Sequence, residues 1–145
     1  MYSHILLAVD LNDDSSWRKS LPVAVEYCQA FGATLHVVTV MPEFRLPLVG
    51  GYFPADFESQ ARAELEKQLQ RFVEEHVPDA VGATHAVLAG GPVYERILSA
   101  ARDAGSDLIV IAAYRPDLKD FLLGPNAARV VRHADRSVLV VRNRG

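Results

Sequence analysis

Four short, almost wholly apolar runs, Ile5 to Val9, Leu35 to Val40, Leu108 to Ala113 and Val138 to Val141, constrain the fold of this chain more than any other feature. Continuous apolar runs of this length suit strands buried on both faces, the environment of a parallel sheet covered by helices. A fifth run, Thr84 to Leu88, alternates more and is expected near a sheet edge. Segments with helical spacing lie between the runs. Trp17, Leu21, Ala24, Cys28 and Phe31 share one face at intervals of four and three, and Pro22 either kinks that helix or sits in its first turn, with Ser20 as a cap. Phe57, Ala61, Leu65, Leu69, Phe72 and His76 form the longest stripe; Tyr94, Ile97, Leu98 and Ala101 mark a third helix, and Ala127, Val130, Val131 and Ala134 a fourth.

Regular alternation of strands and helices specifies an α/β doubly wound sheet built with right-handed crossovers. A length of 145 residues suits one domain, 1–145, able to bury its own core. In such sheets a ligand sits beyond the carboxyl ends of the strands, where the strand order reverses. The connection Met41 to Ala55 is long and carries Phe44, Leu46, Leu48, Val49, Tyr52 and Phe53; it reads as a lid, a contact surface or a loop folded back on its own domain.

Composition narrows the function. A formal net charge of -3 argues against a general affinity for nucleic-acid phosphates or anionic membranes. No apolar run reaches the roughly 20 residues that span a bilayer. Met1 to His4 leads straight into the first apolar run without the basic segment of a secretory signal, and Cys28 is the only cysteine, so a soluble, unprocessed cytoplasmic protein is expected. The histidines His4, His36, His76, His85 and His133 show no paired ligand spacing, and Ser15 and Ser16 read as helix-start residues.

The chemistry is concentrated in the segment from Asp107 to Arg142. A buried strand runs into a polar loop with Arg115 and Lys119, then Phe121-Leu122-Leu123, then Gly124 at the start of a helix. The first turn of a helix exposes backbone N–H groups and the positive end of its dipole, so an anion at Gly124 to Ala127 would be favoured. Gly124 permits close backbone approach, Asn126 offers an amide donor, and Arg115 or Lys119 can counter phosphate charge. The same glycine also fits an ordinary turn, and no Walker loop is present. Gly90-Gly91-Pro92 reads as a loop and helix start.

The residues ILLAVD, LHVVTV, GGPVYERIL and, most specifically, LLGPNAARVVRHADRSVLVVR resemble the universal stress protein family over the whole chain. AAYRPDLKDFLLGPNAARVVRHA resembles the F and G type subgroup. The resemblance implies a five-stranded parallel sheet in the order 3-2-1-4-5 with helices on both faces. It implies binding of ATP, with Mg²⁺ carried by the nucleotide, by a regulatory module that works as a homodimer through its last strand and on a protein partner not identifiable from sequence. A slow ATPase or autophosphorylating enzyme and a nucleotide-free dimeric interaction protein are the alternatives.

By the same resemblance Asp10 lies at the base and ribose, Val40 contacts the adenine edge through its backbone, and Ala8, Val9 and Ile111 line the base pocket. Asp10 can equally cap the next helix. Family members that bind ATP commonly carry G-x-x-G, a spacer and then G-S or G-T. Here Ala112 and Arg115 stand at the first two glycines and Pro125 replaces the hydroxyl residue, so only Gly124 survives. Arg115-Pro116-Asp117 resembles an alternative phosphate-side loop, while Pro125 removes a hydroxyl and a backbone N–H.

Overall fold

The computed structural model describes residues 1–41, 57–113 and 124–143. In chain order the elements are β1 (His4–Ala8), a 3₁₀ turn (Asp14–Ser16), α1 (Ser20–Phe31), β2 (Thr34–Val40), α2 (Phe57–His76), β3 (Ala83–Leu88), α3 (Val93–Asp103), β4 (Leu108–Ala113), α4 (Gly124–His133) and β5 (Ser137–Arg142). All neighbouring strands pair in parallel, and the sheet has the order β3-β2-β1-β4-β5. Both the expected architecture and the edge position of β3 are therefore found.

The side-chain alternation of the strands divides the core in two. Ile5, Leu7, Leu35, Val37, Leu108 and Val110 pack against Leu21, Ala24, Cys28, Leu69 and Phe72 of α1 and α2. Leu6, Ala8, Val38, Val40, Ile109 and Ile111 pack against Ile97, Leu98, Ala101, Ala127 and Val130 of α3 and α4. Right-handed crossovers demand this partition, because the chain winds one way from β1 to β3 and the other way from β3 to β5. Ile5, Leu6 and Leu7 are fully buried, and each such side chain contributes about 1.5–3 kcal/mol relative to exposure. Asp107, just before β4, pins the start of β1: its carboxylate accepts the N–H groups of Ser3 at 2.9 Å and His4 at 3.0 Å.

Three helical stripes differ in detail from expectation. Pro22 sits in the first turn of α1, where its missing N–H costs nothing. Ser20 is the first helical residue rather than the cap, and its hydroxyl donates to the Ser16 carbonyl at 3.0 Å. Trp17 precedes α1 and packs its ring on Phe72 and His76 of α2 instead. Phe31 is 40% exposed in the last turn, edge-on to Tyr2 and Tyr27. That helix ends at Gly32, whose φ of 67° gives the left-handed turn a glycine accepts without strain. In α2 only Leu69, Phe72 and Val73 are buried, and Phe57 is 37% exposed. The reason is length: 20 residues of helix run about 30 Å, whereas the six of β3 run about 20 Å, so the helix overhangs the sheet. On α4, Val131 is 51% exposed.

Candidate functional site

The crevice at the reversal of strand order is visible in the register. β1 and β4 pair at Ile5↔Leu108, Leu6↔Ile109 and Leu7↔Val110, and there the ladder between them ends. On its other side β4 stays paired with β5 as far as Ala113↔Arg142. The two strands therefore part here, Ala8, Val9 and Asp10 continuing from β1 and Ile111, Ala112 and Ala113 completing β4, at the place where ligands bind in doubly wound sheets.

Asp10 is 4% exposed although it leaves the sheet at a loop. Its surroundings are local and tightly bonded. The Asn12 N–H donates to Asp10 Oδ1 at 3.0 Å, and the Asp13 N–H donates to the Asp10 carbonyl at 3.1 Å. The Ser16 hydroxyl, itself fully buried, accepts the Asp10 N–H at 2.8 Å and faces the carbonyls of Asp10 at 2.9 Å and Asp13 at 2.7 Å. Asp10 thus caps no helix. The 3₁₀ turn is capped by Asp13, whose Oδ1 accepts the N–H of Ser15. Burial pushes the Asp10 carboxyl above the usual carboxylate range, the Asn12 N–H pulls it back, and the neighbouring charge of Asp13 raises it further.

The remaining expected residues fall into three groups. Ala8 and Ile111 point into the core under α3 and α4, whereas Val9 points to the opposite face with Leu21 and Phe72, so these side chains wall the crevice from different sides of the sheet. Ala112 is buried on β4. Val40 lies beyond the end of the ladder with β1, whose last pair is Ala8↔Val38; the Val38 carbonyl still accepts the Val9 N–H at 2.9 Å. By the two-residue period of a strand, the backbone N–H and C=O of Val40 face that same side, where β1 has already turned away.

Gly124 opens α4 as expected, Pro125 is its second residue, and Asn126 and Ala127 follow within the first turn. Asn126 is 7% exposed and Ala127 packs into the core beneath β1 and β4. Pro125 fits there because the first turn has N–H groups without helical partners. Arg115, Lys119 and the connection from 42 to 56 lie outside the described residues. A cavity of about 220 Å³ lined by Leu11, Gln68, Arg71, Phe72 and Glu75 contains none of the expected residues.

Two contributors were not legible in the sequence. Ser16 read only as a helix-start residue, yet its hydroxyl closes the loop on Asp10. Asn143, just after β5, donates from Nδ2 to the Ser15 carbonyl, a contact between residues 128 positions apart for which the sequence carries no local signal.

A five-stranded, all-parallel, doubly wound sheet with a buried aspartate where β1 and β4 part defines an α/β protein of the Rossmann-like kind. The chain belongs to the universal stress protein family, whose family model matches residues 1–142. It is 32% identical over 145 residues to universal stress protein G of Shigella flexneri, a match covering 98% of this chain and 100% of that protein. Among solved structures it resembles a universal stress protein in complex with cAMP at a TM-score of 0.63 and 24% identity, covering 99% of this chain and 98% of the other. It also resembles the universal stress protein from Archaeoglobus fulgidus in complex with dAMP, at a TM-score of 0.61 and 21% identity over 96% and 97% of the two chains. At these identities the two structural likenesses are likenesses of fold.

Proposed function

We propose that this chain binds an adenine nucleotide, with ATP as its ligand, in the crevice between β1 and β4, and acts as a regulatory module in stress response rather than as a fast enzyme. The observation that carries this reading is the parting of β1 from β4 after the pair Leu7↔Val110, with the buried Asp10 on the resulting lip. A buried carboxylate whose ionisation is opposed by its surroundings is a feature found at functional sites, and it supports this reading. Asp10 Oδ1 is taken up by the Asn12 N–H, and Oδ2 is the atom that would accept from a ribose hydroxyl or the adenine amino group. The backbone of Val40 would read the base edge, between Ala8, Val9 and Ile111.

The first turn of α4 suits the phosphates, with the N–H groups of Asn126 and Ala127 as donors and Gly124 allowing approach. Ala112 would lie beneath the sugar-phosphate chain, Arg115 would counter its charge, and Pro125 would stand beside it without an N–H to give. Mg²⁺ would travel with the nucleotide, which supplies most of its ligands along with water. The complexes of two fold relatives with cAMP and dAMP support an adenine nucleotide as the ligand. For a slow hydrolysis of the nucleotide, Asp10 and Arg115 are the candidates for positioning water or stabilising a leaving group.

Mass spectrometry of acid-denatured purified protein is expected to find a copurified adenine nucleotide, and calorimetry is expected to show stoichiometric ATP binding. Protein that carries no nucleotide and gives no heat with ATP would overturn the reading. We further propose a homodimer formed through β5. Val138, Leu139, Val140 and Val141 are half-buried at a sheet edge, and a row of free strand hydrogen-bonding groups beside apolar side chains invites pairing. Light scattering at micromolar concentration distinguishes this dimer from a strict monomer.

A further inference from the structure

Asp10 leaves the sheet at the end of β1, and the loop that carries it to Ser16 passes against β4 without pairing to it. Something must fix the direction of its carboxylate. The local bonds are a relay: Asn12 N–H to Asp10 Oδ1, Ser15 N–H and hydroxyl to Asp13 Oδ1, and the Ser16 hydroxyl between Asp10 and Asp13. All of these join residues within the loop and would move with it. The Ser15 carbonyl is tied instead to the side chain of Asn143, which follows directly on β5. That strand is held rigidly by six register pairs with β4, from Leu108↔Ser137 to Ala113↔Arg142.

The amide of Asn143 is oriented by this tie. Its Oδ1 is buried and, among the described residues, accepts no hydrogen bond, which protein interiors ordinarily avoid. Turning the amide over would set that oxygen against the Ser15 carbonyl, so the contact persists although it leaves an acceptor unmet.

We infer that Asn143 is a positioning residue for Asp10: by fastening the 3₁₀ turn to the end of β5 it sets the direction in which the Asp10 carboxylate faces the crevice. The inference rests on the nucleotide reading only for its consequence, since the tie itself is a property of the ligand-free protein. It also links the edge strand β5 to the lip of the crevice, through Asn143, Ser15, Ser16 and Asp10 in turn.

The test compares the unmodified protein with Asn143→Ala and with Asn143→Leu, which keeps the bulk and loses the donor. Carboxyl ¹³C signals of Asp10 are followed against pH without ligand, amide hydrogen exchange is measured in parallel, and ATP is then titrated. In both variants the Asp10 midpoint should fall toward the ordinary carboxylate value as the loosened loop admits water. The amides of Asn12 and Ser16 should exchange about tenfold faster or more, while Val37 and Ile109 in the central strands keep their protection. ATP affinity should weaken about three- to tenfold, the size expected for one lost hydrogen bond acting at a distance. An unmoved Asp10 midpoint with unchanged exchange at Asn12 overturns the role of Asn143. Failure of the unmodified protein to bind ATP overturns the nucleotide reading alone, because the two ligand-free measurements still decide whether Asn143 positions Asp10.

Discussion

The Ser16 hydroxyl closes the loop back on Asp10, six positions earlier, by meeting both of its backbone groups, 2.8 Å from the nitrogen and 2.9 Å from the carbonyl oxygen. Replacing it leaves a buried N–H without a partner, which costs about 1–3 kcal/mol. Ser16→Ala should therefore lower unfolding stability by that amount in urea titrations. A loss well below this range would mean that the loop relaxes, or a water enters, to satisfy the Asp10 N–H.

Asp10 should make the protein's stability depend on pH in an unusual direction for a carboxylate. Its folded value is raised by burial above the 3.8 of a free side chain. The folded state thus holds the proton more tightly, so this contribution is fully present below the unfolded value and is lost as pH rises through the folded one. Asp10→Asn, which keeps an oxygen for the Asn12 N–H, should be more stable than the unmodified protein at pH 7, with the difference vanishing as pH falls toward 3.8. The same variant should bind ATP more weakly. Thermal unfolding across this range checks the first outcome and calorimetry the second.

His36 should act with the opposite sign. Burial, with a smaller contribution from the nearby His85, holds its ring below the ordinary 6.5. Its Nδ1 lies 2.7 Å from Thr84 Oγ1 on the neighbouring strand β3. The unfolded chain then takes up the proton first, so stability present above pH 6.5 is lost as pH falls through the folded value. His36→Gln should flatten the stability profile on the acid side of neutrality. An unchanged slope would assign that pH dependence to other groups.

Pro125 offers a gain rather than a loss. If phosphates lie across the first turn of α4, Pro125→Ser adds one backbone donor and one hydroxyl beside charged oxygens, and such bonds contribute about 1.5–3 kcal/mol each in good geometry. Part of this is offset because losing proline frees the unfolded chain by up to about 1 kcal/mol. ATP should bind several-fold tighter while adenosine, which has no phosphates, is unaffected and the ligand-free protein melts slightly lower. Calorimetric titration of both ligands into both proteins checks it. An equal gain for adenosine would move the phosphates elsewhere.

Local pattern by itself determined the elements and their order. Apolar runs such as Ile5 to Val9 and Leu108 to Ala113 read as buried strands, and their alternation with helical stripes pointed to a doubly wound sheet. The placement of Asp10 at the end of β1 and of Gly124 at the start of α4 followed from the same pattern, because both are boundaries between local structures. Helical spacing could not tell where a stripe stops being covered. Phe31 and Phe57 fall on apolar faces and are nevertheless partly exposed, because burial depends on how far the opposing sheet reaches. The tertiary structure alone decided that β1 parts from β4 after Leu7, that Ser16 folds back on Asp10, and that Asn143 holds Ser15 across the whole length of the chain. Periodicity records which face of an element is buried. It carries nothing about which distant polar groups meet, since one hydrogen bond needs only a single donor and acceptor and leaves no repeat to read.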